Sequence, residues 1–124
     1  MKEFVSRVKK NKKEIVKFVD DKLKNKNRIF LYGASTKGNT FLQYYNLNYQ
    51  KIPYAAERTP SKWGRYTIGT GIKIISETDA RKLKPDYFLV TPWAFIKEFI
   101  KRENNWLKNG GKFIVPFPNI KVIG

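Results

Sequence analysis

The 124-residue sequence contains neither cysteine nor histidine. The first absence rules out disulfides and thiolate metal sites; the second leaves a zinc centre only carboxylates and removes histidine general-base chemistry. Acidic residues are scarce, ten against twenty-six Lys and Arg, giving a net charge of +16. No apolar run approaches the roughly 20 residues that span a bilayer. Nor does the N-terminus carry the continuous apolar stretch of an export signal, so the expected location is the cytoplasm, with no membrane partner. What is present suits a folding chain: 41% hydrophobic residues and 15% aromatics exceed what a disordered segment carries. The length fits one domain with a single core.

The positive charge invites a nucleic-acid reading, but its distribution argues against one. Residues 1–28 hold eleven Lys/Arg against four Asp/Glu, and residues 29–124 hold fifteen against six, so the excess is spread along the chain. Lysine outnumbers arginine twenty to six, whereas forked guanidinium groups dominate base-edge readout. A solvated, lysine-rich surface that attracts anionic ligands is the simpler expectation, and nucleic acid is not the expected partner.

Between the strand-like run Arg28 to Tyr32 and the helix-like run Phe41 to Tyr45 lies Gly33-Ala34-Ser35-Thr36-Lys37-Gly38-Asn39-Thr40. Glycines let the backbone approach an anion, and the unpaired N–H groups of a helix's first turn point at it along the positive end of the helix dipole. Ser35, Thr36 and Lys37 add hydroxyls and a charge. The alternative is a tight strand-to-helix connection whose serine or threonine only caps the helix. The turn falls short of the ATPase loop because Asn39 replaces its lysine. It falls short of the dinucleotide turn because Ser35 replaces the middle glycine.

Along the chain, Phe4, Val8, Ile15, Val19 and Leu23 recur near the helical period, predicting a leading amphipathic helix within residues 1–27. Strands are expected at 28–32, 52–56, 72–75, 87–90, 112–117 and 120–123, with helices near 37–47, 76–82 and 93–108, the second opened by Ser76 and Asp79, which loosely resemble a capping box. Residues 57–71, with three glycines and a proline, read as a long structureless loop of the kind that tends to be functional. Strand alternating with helix predicts a single α/β, Rossmann-like, three-layer domain over residues 28–124, with a mainly parallel sheet covered on both faces. Ligands bind such sheets outside the carboxyl ends of the strands, where the 33–40 turn, the 57–71 loop and Thr91-Pro92-Trp93 all fall. Glu57 closes the second strand where dinucleotide folds place an acidic acceptor for ribose hydroxyls, although a solvated glutamate is equally compatible.

Four ordered runs, 32–40, 67–76, 85–93 and 110–116, resemble the C-terminal domain of the S-adenosylmethionine-dependent sugar C-methyltransferases. The departures are Ile68 and Lys73, where that family has prolines, and Ala94, where it often has histidine. The resemblance implies a Rossmann-like module that helps hold a nucleotide-activated keto-deoxysugar for methylation at carbon. It also implies that S-adenosylmethionine and zinc belong to preceding domains, which these residues do not contain. This module is thus expected to bind no cofactor, not to catalyse alone, and to partner a methyl-donor-binding domain or chain. No metal ligands are expected, and catalytic residues are unassigned.

On this basis the diphosphate is expected at Gly33, Ala34, Ser35, Thr36, Lys37, Gly38 and Asn39. Glu57 would accept from a ribose or sugar hydroxyl, with Lys62, Arg65 and Thr70 closing over the ligand. Trp93 either stacks on a base or sugar face or belongs to the core. The competing function is a small NAD(P)-type Rossmann protein in which Arg58 accommodates a phosphorylated ribose; a basic nucleic-acid-binding domain comes third.

Overall fold

The apolar run Ile29–Tyr32 forms strand β1, buried along its whole length. A computed structural model describes residues 2–117 and 119–124, and side chains from Arg7 onward. Helix α1 (Lys2–Lys24) precedes β1, and helix α2 (Thr36–Tyr44) and strand β2 (Tyr54–Glu57) follow it. Strand β3 (Lys73–Ser76), helix α3 (Glu77–Lys82), strand β4 (Tyr87–Val90), helices α4 (Ile96–Arg102) and α5 (Asn104–Lys108), and strands β5 (Lys112–Val115) and β6 (Lys121–Ile123) complete the chain.

The six strands form one sheet in the order β3-β2-β1-β4-β5-β6. All pairs are parallel except β5 with β6, which is antiparallel. Because strand side chains alternate between faces, β1 divides its residues between two cores. Ile29 and Leu31 face α1 and α2, while Phe30 and Tyr32 face the aromatic core under α3, α4 and α5. The three-layer α/β architecture expected from the sequence is the one observed.

Helix α1 buries Ile15 and Val19 completely, with Val8 and Leu23 half-buried. The side chain of Phe4, the first member of the expected stripe, lies outside the described residues. Buried Asn11 fastens α1 to the sheet: its Nδ2 donates to the Pro116 carbonyl at 2.8 Å, and its Oδ1 accepts from the Tyr45 hydroxyl. Helix α3 starts where the Ser76 hydroxyl accepts the Asp79 N–H at 3.0 Å, the capping expected from the sequence.

Two elements differ from the sequence expectation. The helix expected over 93–108 is a 3-10 turn at Trp93–Phe95 followed by α4 and α5, interrupted at Glu103. The loop expected to lack structure contains a 3-10 turn at Pro60–Lys62 and then runs back along β3. The Gly64 N–H donates to the Ile74 carbonyl, the Ile74 N–H to the Arg65 carbonyl, and the Thr67 N–H to the Ile72 carbonyl, at 2.8 to 2.9 Å. This return covers the outer edge of β3, whose main-chain groups would otherwise be unpaired.

Candidate functional site at the strand switch point

The chain leaves β1 for β2 on one side and enters β4 on the other, so a crevice opens above the carboxyl ends of β1 and β4, where sheets of this order bind ligands. It has a volume of about 300 Å³ and is lined by the 33–35 turn, by Glu57, Arg58 and Lys62, and by Phe95 and Arg102 on the far wall. A larger cleft of about 860 Å³ lies away from the strand ends, between α1 and the C-terminal end of α2.

The turn begins at Gly33, whose φ of +84° is strained for residues with a side chain. Its N–H donates to the Ala56 carbonyl at 2.7 Å, holding the turn to β2. Ser35 is the N-cap of α2, and its hydroxyl accepts the Gly38 N–H at 3.0 Å. The capping alternative read from the sequence is therefore real, yet it uses only one amide. Among the described residues, the N–H groups of Ser35, Thr36 and Lys37 meet no acceptor. Thr36 and Lys37 are exposed.

Glu57 reaches the turn from the end of β2. Its Oε1 accepts the Ala34 N–H at 2.9 Å and its Oε2 accepts the Thr59 N–H at 3.0 Å. Burial opposes the charge, but these two bonds and the Lys62 ammonium, 3.9 Å away, outweigh it and hold the carboxyl below its ordinary range. Glu57 is thus an anion at neutral pH, with a second lone pair on each oxygen still available. Lys62 also donates to the Ala34 carbonyl at 3.1 Å, closing the 57–71 loop onto the turn.

Other expected site residues serve the framework. Gly38 is buried because it abuts Thr91: a Cβ there would lie 2.2 Å from the Thr91 hydroxyl oxygen. That hydroxyl is itself buried with no hydrogen-bond partner among the described residues. Asn39 Nδ2 donates to the Ile68 carbonyl at 2.7 Å, and its Oδ1 accepts from the Thr70 hydroxyl at 2.6 Å. Thr70 is buried, so it fastens the loop to α2 and presents no hydroxyl to the crevice. Arg58 is exposed on the crevice lip, and Arg65 is exposed outside it. Trp93 packs between Phe41 and Phe117, with ring centroids 6.0 and 5.5 Å away, and does not line the crevice.

A closed ring of charges under the crevice is not anticipated from the sequence. The Tyr32 hydroxyl donates to Glu103 at 2.7 Å, and Arg81 grips the same carboxylate through two bonds of 2.7 and 2.8 Å. Arg102 Nε donates to the Tyr32 hydroxyl at 3.1 Å and its Nη2 to Glu77 at 2.8 Å, while Arg81 lies 3.5 Å from Glu77. Burial and the bond to Glu103 push the Tyr32 phenol far above its ordinary value. Burial opposes the Glu103 charge, but Arg81 and Tyr32 hold its carboxyl below the usual range. One signal was available: Glu103 shares a helical face with Phe99, Trp106 and Leu107.

Among the described residues no cluster of acidic side chains could hold a metal ion, and no helix is long and apolar enough to cross a membrane. The C-methyltransferase C-terminal domain family matches residues 1–118. The chain is also 40% identical over 92 residues to the C-methyltransferase NovU of Streptomyces niveus, covering 74% of this chain and 22% of that protein. It therefore spans about a fifth of that relative's length. With the match running from the leading helix through β5, the chain belongs to the C-methyltransferase C-terminal domain family.

Proposed function

We propose that this chain is the substrate-binding C-terminal domain of an S-adenosylmethionine-dependent C-methyltransferase and that it binds a nucleotide diphosphate-sugar at the carboxyl rim of the sheet. The strongest support is the set of three N–H groups, Ser35 to Lys37, that meet no acceptor among the described residues, at the start of α2 beside the switch-point crevice. Phosphate oxygens would accept from them, assisted by the positive end of the helix and by Lys37. Glu57 would take a ring hydroxyl, and Lys62 would keep the loop closed over the turn. S-adenosylmethionine enters only as the methyl donor carried by a partner domain or chain, in the cytoplasm. The substrate's own reactive carbon would be presented to that partner, since this chain supplies binding and orientation.

Thermal shift with four ligands tests this. Thymidine diphosphate glucose at a hundredfold excess over its Kd should add about 2.7 kcal/mol, raising Tm by roughly 10 °C in a domain of this size. S-adenosylmethionine should leave Tm unchanged. A shift with NADP and none with the sugar nucleotide would favour the dinucleotide alternative. A shift with oligonucleotides alone, falling steeply with salt, would favour nucleic acid.

A further inference from the structure

We infer that the far wall of the crevice, Phe95 and Arg102, is a subsite for a polyhydroxylated ring, so that the α2 amides and this wall divide one ligand between them. The inference rests on the diphosphate reading above. Three basic groups line the crevice, Arg58, Lys62 and Arg102, against three acidic ones, Glu57, Glu77 and Glu98. On a chain carrying a net +16, a site selected only for anions has no need of three carboxylates. A balanced set of fixed donors and acceptors instead matches hydroxyl groups, each of which both donates and accepts.

Arg102 is built to present one edge. Its Nε and Nη2 are engaged by Tyr32 and Glu77, and its guanidinium lies 5.2 Å from the Phe99 ring and 5.5 Å from the Tyr32 ring. Among the described residues Nη1 has only Glu98, an exposed carboxylate 4.0 Å away and beyond hydrogen-bonding distance. The Glu103 acceptor fixes the Tyr32 proton, leaving that oxygen's lone pair for Arg102, so the free edge is held without loss of side-chain freedom on binding. Phe95 stands beside it, 57% exposed, with its ring 6.4 Å from that of Phe99. An exposed aromatic face next to a fixed guanidinium accommodates the C–H face of a sugar ring while its hydroxyls meet Arg102 and Glu57.

The polyhydroxylated ring of such a ligand is the hexose, and two ligands separate it from the pentose of the nucleotide. Calorimetry would compare thymidine diphosphate with thymidine diphosphate glucose on the unmodified chain, Phe95→Ala and Arg102→Lys. Phe95 is on the surface, so its truncation leaves the fold intact, which circular dichroism checks. A fall of fivefold or more for the sugar nucleotide, with thymidine diphosphate within twofold, assigns the hexose; equal falls for both place the contact on the nucleotide, whose deoxyribose has one free hydroxyl, and refute a subsite for a polyhydroxylated ring. If the unmodified chain binds and both variants match it within twofold for both ligands, the subsite is refuted while the diphosphate site stands. If the unmodified chain binds neither ligand, the diphosphate site is refuted and the subsite with it.

Discussion

Replacing Gly38 by alanine probes the contact that joins the α2 turn to the switch point. The new Cβ would lie 2.2 Å from the Thr91 hydroxyl oxygen and 2.9 Å from both the Thr91 Cβ and the Ser35 hydroxyl oxygen. Non-bonded heavy atoms settle near 3.5 Å, so the helix start must retreat by about 1 Å. Overpacking of this kind costs about 1–3 kcal/mol. Disturbing the Ser35 cap adds about 1 kcal/mol, and the better helix propensity of alanine returns about 1 kcal/mol. The net expectation is a loss of about 1–3 kcal/mol. In urea unfolding with an m-value of about 2 kcal/mol/M, a 2 kcal/mol loss lowers the midpoint by about 1 M. Thr91→Ala removes the nearest clashing atom, so Gly38→Ala should cost about 1 kcal/mol less in that background. A wild-type midpoint for Gly38→Ala, or the same penalty in both backgrounds, would refute the packing described at this contact.

Other expectations concern the surrounding framework. Thr91→Val replaces a buried hydroxyl without a partner among the described residues, and should hold or raise stability by up to about 1 kcal/mol; a loss above 1 kcal/mol would reveal a hydrogen bond the structure does not show. Trp93→Ala should lower Tm through lost contacts with Phe41 and Phe117 while leaving sugar-nucleotide affinity within twofold, and a selective loss of affinity would return Trp93 to the site. For Glu103, the folded pKa lies below the unfolded value of about 4.3, so its stabilisation is present above that pH and lost as pH falls through the folded value. Stability should therefore stay level from pH 7 to about 5 and decline below about 4, with a shallower acid limb in Glu103→Gln. At pH 7 that variant should lose about 3 kcal/mol or more, because it leaves Arg81 without its charged partner; an unchanged acid limb would exclude this role.

Local chemistry made much of this protein readable. The apolar runs that became β1 and β4 needed only a sheet covered on both faces, and Ser76 with Asp79 marked a helix start that its own hydroxyl satisfies. Glycine turn, loop and Pro-Trp segment follow strand ends, so chain order put them on one rim before any contact was known. Side-chain destinations on that rim were harder to read. Asn39 and Thr70 are drawn together across 31 positions, and Trp93 turns toward Phe41 and Phe117 because a large apolar ring gains more from burial than from the open crevice. Phe95 and Arg102 enter the crevice instead.

The alternation of short apolar runs with amphipathic stretches, the glycine-opened turn and the lack of Cys and His were sufficient to determine the α/β class, the rim and the chemistry excluded. Those properties depend on neighbours a few residues apart. Which charges meet was decided only by tertiary structure. Glu103 interrupts a helix to reach Tyr32 and Arg81, 71 and 22 positions away, because a buried carboxylate must find hydrogen-bond donors wherever the fold supplies them. That pairing, which periodicity does not encode, sets the edge of Arg102 that faces the crevice.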